Sequence, residues 1–291
     1  MTVRRTLPTR DRSLIGAWCF LDHYGPDDVA ETGGMSVAPH PHTGLQTVSW
    51  LFTGEIEHRD SAGHHATVRP GELNLMTAGH GISHSEVSTP GTSSLHGAQL
   101  WVALPEPARH GAPAFEHYAP PEVVGDGWAV RVFLGSLLGS TSPVATATPL
   151  LGAEVVLQPG ATVVADVETA YEHGVLVDTG VAEVDRTEVG EHQLAYVPLG
   201  SSSLRLQAGP AGSRLLLLGG PPFGEPIVMW WNFVGRTHEE VVASRNAWQA
   251  QLVEDAEPSS LADGRFGIPF GNEMAPIPAP PLPNVRLKER H

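Results

Sequence analysis

Turn-forming residues divide the chain into many short segments. Glycine occurs 32 times and proline 26 times in 291 residues. Frequent glycine and proline residues interrupt long helices but are compatible with short strands joined by turns. Turn signals recur about every 8–12 residues, as in β-sandwiches and barrels. The sequence therefore predicts an all-β-dominated fold.

Individual strands can be placed between these turns. Segments rich in β-branched and aromatic residues, or bounded by glycine and proline, predict strands. In the first half, strands are predicted at residues 44–52, 54–60, about 66–69, 73–76 and 94–104. Pro70-Gly71 is a predicted turn between the third and fourth of these strands. The stretch from about 108 to 128 is rich in proline and glycine and is predicted to be irregular.

The chain divides into two halves that share a coarse pattern. Residues 136–149, "SLLGSTSPVATATP", are the best candidate linker. A second β-rich run follows, and each half contains a Pro-Gly turn, at Pro70-Gly71 and at Pro159-Gly160. We therefore expect two related domains, residues 1–138 and residues 139–291.

One helix is predicted near the C-terminus. Thr237 and Glu240 have the spacing of a capping box ahead of "EEVVASRNAWQAQLV". Val241, Trp248 and Leu252 are predicted to share its buried face. The proline-rich tail after about residue 265 predicts an extended strap or partial disorder.

Charge and cysteine usage narrow the functional classes. The formal net charge is −15, which argues against a surface that follows nucleic-acid phosphates or an anionic membrane. The single cysteine, Cys19, excludes an intrachain disulfide and is predicted to be a small buried apolar residue. Neither a signal-peptide pattern nor a membrane-spanning apolar run is present in the sequence. These features predict a cytoplasmic protein.

Two short pairs of residues suggest a metal site. His40 and His42 lie in "VAPHPHTG", and His84 and Glu86 lie in "GISHSE". Residues i and i+2 of a strand point to the same face, so each pair can direct two side chains at one point. Three imidazoles and one carboxylate suit a transition metal such as iron or manganese. The alternative is that these are unrelated surface histidines, since one His-x-His pair is expected by chance in a chain with 15 histidines.

Other histidines and aromatic residues have simpler interpretations. His64 and His65 occupy a predicted turn and are expected to be exposed. The segment "EHRD" at 57–60 is predicted to form an ion-pair ladder on a strand. His96 is predicted to be a packed or hydrogen-bonded residue of a strand. His80 could line the mouth of the site. Trp230-Trp231 predict core or domain contacts.

At these residues the sequence resembles the pirin family of the cupin superfamily. The segments that carry the resemblance are "HPHTGLQTVSWLFTGEIEHRDSAG", "RPGELNLMTAGHGISHSE", "LHGAQLWVALP", "GGPPFGEPIVMWWNFVGRTHEEV" and "GRFG". The resemblance implies two cupin-type antiparallel, jelly-roll-like β-barrels that face each other, with a short C-terminal helix. It implies a metal, usually iron, in the N-terminal domain, held by residues that correspond to His40, His42, His84 and Glu86. It also implies a C-terminal domain without a metal site.

Three positions depart from the family pattern. Thr43 and His80 stand where relatives often carry arginine, and Gln46 stands where they often carry glutamate. None of these changes removes a ligand. Each could alter the charge and hydrogen bonds of the pocket, so Gln46 and His80 are candidate pocket residues.

The resemblance implies two functions. In the first, the protein is an Fe(II)-dependent, quercetin 2,3-dioxygenase-like oxidoreductase acting on a flavonol-like or other aromatic substrate, in which Glu86 accepts the substrate's hydroxyl proton. In the second, it is an iron-dependent, redox-sensing regulator that acts through a protein partner, as a transcriptional co-regulator or modulator of a metabolic enzyme. A purely structural metal is a third possibility, and other divalent transition metals are compatible with the ligands. We expect no direct nucleic-acid or membrane partner, and a monomer.

Overall fold

The computed structural model describes residues 1–253, 260–271 and 273–291. Strands dominate these residues, as the turn pattern predicts. In chain order they are β1 (Val3–Leu7), β2 (Trp18–Asp28), β3 (Ser36–His42), β4 (Leu45–Thr53), β5 (Ile56–Asp60), β6 (His65–Val68), β7 (Leu73–Thr77), β8 (Ile82–Ser88), β9 (Ser94–Ala103), β10 (Ala114–Tyr118), β11 (Val123–Gly125), β12 (Trp128–Leu134), β13 (Ser136–Leu137), β14 (Ser140–Thr141), β15 (Leu151–Leu157), β16 (Thr162–Asp166), β17 (Glu172–Val184), β18 (Thr187–Val189), β19 (Leu194–Val197), β20 (Ser203–Gly220), β21 (Val228–Trp230), β22 (Phe233–Gly235), β23 (Leu252–Val253) and β24 (Ser260–Leu261). The helices are α1 (Val29–Thr32) and α2 (His238–Gln251).

The N-terminal region consists of two antiparallel sheets. One has six strands in the order β1-β2-β9-β4-β7-β10, and the other has four in the order β3-β8-β5-β6. Their facing sides share an apolar core, in which Tyr24 and Leu51 of the larger sheet contact Ile56 and Val68 of the smaller one. Alternate residues of β5 are buried, as the two-residue strand period requires, whereas β4 is buried on both faces from Leu45 to Leu51.

The C-terminal region is organised by one large antiparallel sheet. Its main path runs β11-β12-β15-β20-β17-β18, with β16 on β20 and β19 on β17. The 18-residue strand β20 pairs with β15, β16 and β17. The inward leucines and valines of this sheet form a second apolar core.

A third apolar cluster joins the two regions. The Trp50 ring lies 4.5 Å from the Phe133 ring, centroid to centroid. The Trp50 indole N–H donates to the Glu154 carboxylate, with a nitrogen–oxygen distance of 3.0 Å. Leu176 and Leu218 of the C-terminal sheet belong to the same buried cluster. The two regions therefore share a continuous core, and Trp50 supplies a buried polar bond across it.

The C-terminal helix confirms the predicted N-cap, whereas the Glu240 carboxylate accepts from the Arg236 amide at 2.8 Å instead of from the Thr237 amide as in a capping box. Thr237 is the N-cap of α2, and its side chain accepts a hydrogen bond from the Glu240 amide. Val241 and Trp248 are buried as predicted, whereas Leu252 lies at the C-cap and is only partly buried. The tail lies across the protein as a strap, because the Ile277 amide donates to the Pro39 carbonyl at 2.8 Å.

Two segments are more ordered than their composition predicts. Residues 108–128 contain β10 and β11, and the predicted linker contains the hairpin of β13 and β14. Glycine and proline interrupt these strands without preventing short pairings. The division of the chain at residue 138 stays a prediction; β11 and β12, which precede it, pair into the C-terminal sheet. No helix of the described residues is long and apolar enough to cross a membrane.

Candidate metal centre

Three neighbouring strands of the four-stranded sheet carry the candidate ligands. In the pairing of β3 with β8, His40 lies opposite His84. In the pairing of β8 with β5, Glu86 lies opposite His58. The register of β3 against β8 shifts between Val37 and His40, as at a β-bulge. The central position of β8 places its side chains between those of the two neighbouring strands.

Three of the predicted ligands converge directly. One potential ligand atom from each of His40, His42 and His84 lies within 4.8 Å of the others, and all three residues are buried. The Nε2 atoms of His42 and His84 are 3.1 Å apart. Their pairwise ring centroids are 4.3–5.0 Å apart. This is the convergence that the two-residue spacing predicts.

Glu86 belongs to a second set that shares His84. Ligand atoms of His58, His84 and Glu86 also lie within 4.8 Å of one another. Glu86 accepts a hydrogen bond from the Ser49 hydroxyl at 3.2 Å. The Nδ1 atoms of His84 and His58 are 3.4 Å apart. The two sets therefore share His84.

His58 is a potential ligand that was not predicted from the sequence. The predicted ion-pair ladder is present, because Arg59 donates to Glu57 at 2.8 Å. These two residues occupy one face of β5, whereas His58 and Asp60 occupy the buried opposite face. The Nε2 atom of His58 lies 3.3 Å from an Asp60 carboxylate oxygen. The alternation within "EHRD" is the signal that could have identified His58 as inward-facing.

Backbone carbonyls orient two of the imidazoles. Nδ1 of His40 lies 3.0 Å from the Ala38 carbonyl, and Nδ1 of His42 lies 3.2 Å from the Asn232 carbonyl. A proton on each Nδ1 satisfies these carbonyls and leaves the Nε2 lone pair available. Metal-binding histidines are commonly oriented in this way by their other ring nitrogen.

The electrostatics of the cluster favour neutral imidazoles. Burial lowers the pKa of His40 to about 4 and lowers the pKa of His42 and His84 well below the usual value. Burial also raises the pKa of Glu86, against the opposing effects of His58 and the Ser49 hydrogen bond. Neutral imidazoles and a nearby carboxyl group are a donor set that fits a first-row transition-metal ion.

The two candidate pocket residues have different surroundings. Gln46 is buried in β4, and its amide nitrogen donates to the Thr77 hydroxyl at 2.9 Å. His80 is exposed, and its Nδ1 lies 3.0 Å from the Gly111 carbonyl. Neither residue belongs to the two candidate ligand sets.

An aromatic groove adjoins the imidazoles. The Trp101 ring lies 5.2 Å from the His42 ring and stacks on Phe20 at 4.0 Å. Trp101 and Phe20 line a cavity of about 490 Å³ together with Trp230, Trp231 and other residues. Since Asn232, which orients His42, also lines this cavity, the groove and the imidazole cluster share a wall.

Three other histidines of the N-terminal region are held in ion pairs or hydrogen bonds. His64 contacts Asp60 at 3.1 Å, and the exposed His65 contacts Glu57 at 2.7 Å. His96 is buried in β9, 2.7 Å from a carboxylate oxygen of Asp178, which agrees with the prediction of a hydrogen-bonded strand residue.

Comparison with known proteins places these features in a family. The family model described as Pirin matches residues 1–102, and the model described as Pirin C-terminal cupin domain matches residues 152–253. A Pseudomonas aeruginosa protein named "Putative quercetin 2,3-dioxygenase PA1205" is 43% identical over 97% of this chain and 86% of its own length. A Caulobacter vibrioides protein named "Pirin-like protein" is 36% identical over 85% of this chain and 88% of its own.

A solved structure agrees with these sequence matches. The crystal structure of quercetin 2,3-dioxygenase from Acinetobacter baumannii has a TM-score of 0.89 and 39% identity, covering 98% of this chain and 92% of that one. The two family models, the relatives and the shared fold lead to one conclusion: the chain belongs to the pirin family and has the cupin domains of that family.

Proposed function

We propose that this protein is an Fe(II)-dependent dioxygenase that acts on a flavonol-like aromatic substrate. The observation that carries the proposal is the buried convergence of His40, His42 and His84, with Glu86 beside His84. Relatives named for quercetin 2,3-dioxygenase support the reaction class. The metal would supply Lewis acidity and a path for electrons between the organic substrate and dioxygen.

The proposed ligands are His40, His42, His84 and Glu86. These four side chains would hold the ion and would leave part of its coordination open to substrate and dioxygen. Glu86 differs from the three imidazoles, because its carboxylate groups with His58 and His84 and accepts a hydrogen bond from the Ser49 hydroxyl. We therefore propose that the three imidazoles stay bound to the ion, whereas the Glu86 carboxylate can move away from it.

Glu86 is also the proposed proton acceptor. It is buried, and burial raises its pKa, so it holds a proton more readily than an exposed glutamate. A flavonol hydroxyl group that reaches Glu86 would lose its proton to this carboxylate. The Ser49 hydroxyl, 3.2 Å from Glu86 and 3.0 Å from Gln99, fixes the position of the acceptor.

The aromatic groove is the proposed approach for the substrate. Its indole and phenyl rings offer flat apolar surfaces for a planar polycyclic ligand. Trp101 stacks on Phe20 and makes an edge contact with the His42 ring, so it links the groove to the imidazoles.

The proposed function is tested by oxygen uptake. Apo-protein is loaded with Fe(II) without oxygen, quercetin is added, oxygen is admitted, and uptake is recorded with loss of flavonol absorbance. The His84→Ala variant should fall to background, because it removes the residue common to both ligand sets. His65→Ala, which removes an exposed histidine of the same sheet, is the matched control and should retain activity.

Two results would contradict the proposal. Equal uptake by His84→Ala and the wild type would exclude this site. Absence of uptake by the wild type despite confirmed iron occupancy would exclude quercetin and redirect attention to another substrate or to the regulatory function.

A further inference from the structure

A second group of buried polar residues lies where the two regions meet. His23 lies in β2 and His96 in the adjacent strand β9, both of the N-terminal six-stranded sheet. Asp178 lies in β17 of the C-terminal sheet. All three side chains are buried, and none belongs to the imidazole cluster described above. The sequence separates His23 from Asp178 by 155 positions, so only the fold brings them together.

The potential ligand atoms of this group converge on one point. Oδ1 of Asp178 lies 2.6 Å from Nε2 of His23 and 2.7 Å from Nε2 of His96, and the two nitrogens are 3.3 Å apart. Zinc bonds of about 2.0–2.2 Å place two ligands of a tetrahedral site about 3.3 Å apart. The imidazoles already have this separation. The carboxylate oxygen would have to move away from them by roughly half an ångström to accept an ion.

The charged residues around the group favour the binding of a cation. Arg214 donates to the other oxygen of Asp178 at 3.2 Å and lies 3.4 Å from Glu154. One guanidinium therefore lies between two carboxyl groups, those of Asp178 and Glu154. A buried net negative charge is unfavourable without a further positive charge. Arg214 also holds the carboxylate so that Oδ1 faces the two imidazoles, as outer hydrogen-bond partners do at metal sites.

A neighbouring ring could accept the remaining imidazole proton. A neutral His23 that binds a metal through Nε2 carries its proton on Nδ1. Nδ1 of His23 and Nδ1 of His192 are both buried and lack a hydrogen-bond partner among the described residues. The centroids of the two rings are 5.0 Å apart. A small rotation that brings the two nitrogens together would satisfy both atoms at once.

We propose that His23, His96 and Asp178 bind a divalent first-row transition-metal ion of the zinc type at the contact between the two regions. Two imidazole nitrogens and one carboxylate oxygen are suitable ligands for such an ion. Since two ligands come from the N-terminal sheet and one from the C-terminal sheet, the ion ties the regions together. Its ligands are separate from those of the proposed dioxygenase centre.

The test is metal stoichiometry of the full chain. The protein is stripped with a chelator, reloaded with Zn²⁺ or Co²⁺, freed of excess ion, and analysed by mass spectrometry of the elements. The wild type should hold two equivalents. His84→Gln and His96→Gln should each hold one, and the double variant should hold none. Asp178→Asn should resemble His96→Gln, with at least a tenfold weaker affinity for the second ion.

In the His84→Gln variant, metal binding at the second site can be measured with His23, His96 and Asp178 all unchanged. This variant should bind one Co²⁺ with visible ligand-field absorption, and Zn²⁺ should raise its Tm. The same addition should leave the Tm of the double variant unchanged. Circular dichroism of each variant confirms that it has folded.

The outcomes separate this proposal from the proposed function. If His84→Gln binds no ion, or if His96→Gln keeps the wild-type stoichiometry, the second site does not exist and the cluster is a hydrogen-bonded contact. The wild type could instead bind one ion, with binding lost in His96→Gln and kept in His84→Gln. That result would support the second site and contradict the proposed dioxygenase centre.

Discussion

The indole of Trp50 provides the sharpest test of how the two regions are joined. Trp50→Phe keeps an aromatic ring against Phe133 but removes the N–H that donates to Glu154 at 3.0 Å. A hydrogen bond to a charged group contributes about 1.5–3 kcal/mol. The smaller ring leaves a void of ~40 Å³, which costs about 1 kcal/mol at 24 cal/mol per Å³. We therefore expect the free energy of unfolding to fall by about 3 kcal/mol.

Urea denaturation followed by tryptophan fluorescence and circular dichroism measures this change. The expected shift is a lower midpoint with an unchanged dependence on urea, which indicates a loss of stability alone. Trp231→Phe is the matched control, because this indole is only partly buried and its change should cost less than about 1 kcal/mol. Equal losses in the two variants would refute the assigned bond.

A double-mutant cycle isolates the bond itself. Glu154→Gln, made in the wild type and in Trp50→Phe, tests whether the two side chains act together. Residues in one hydrogen-bond network show coupling energies of about 0.5–3 kcal/mol. Additive losses, within about 0.5 kcal/mol, would show that Trp50 stabilises the contact through packing with Phe133 alone.

Three further predictions concern the metal strands and the helix. In metal-free protein, the folded pKa of His40, about 4, lies below the unfolded value of about 6.5, so the unfolded chain takes the proton first. Stability should therefore fall as the pH drops through this window, by about 3 kcal/mol from His40 alone; a urea midpoint that is unchanged between pH 7 and pH 5 would contradict this. Gly44→Ala places a methyl group 2.2 Å from the Val234 carbonyl oxygen at a φ of +68°, whereas Gly63→Ala, also at positive φ, has nothing within 4 Å of its new atom. The first should therefore lose roughly 3 kcal/mol or more in urea denaturation and clearly exceed the second. Thr237→Ala removes the N-cap of α2 and should cost about 1 kcal/mol; a change below about 0.3 kcal/mol would show that the cap is dispensable.

Local patterns predicted much of the architecture because their causes are local. Strand β4 at Leu45–Thr53 matches the segment predicted at 44–52, and β7 at Leu73–Thr77 follows the Pro70-Gly71 turn. The capping box places the start of α2 correctly. Each depends on residues a few positions apart, where backbone preference and side-chain hydrogen bonds act within one turn or strand.

Local sequence patterns could not predict which strands, distant in the sequence, contact each other. The two-residue spacing predicts that His40 and His42 share a direction, but not which strand lies on the far side of β8. The order β3-β8-β5-β6 brings His58 to the group from the other side. The same limitation applies to Asp178, whose partners lie in a different sheet.

The place of β8 in this order gives His84 a role that its spacing does not reveal. Its Nε2 lies 3.1 Å from His42 of one set, and its Nδ1 lies 3.4 Å from His58 of the other. A residue on an edge strand could face one neighbour only, whereas a residue on an inner strand contacts both. Loss of His84 therefore disturbs both sets, whereas loss of His42 leaves the set of His58, His84 and Glu86 complete. If both sets contribute to one metal site, His84→Gln should weaken Fe(II) binding more than His42→Gln does. Equal weakening would indicate that the site depends only on the three imidazoles of His40, His42 and His84.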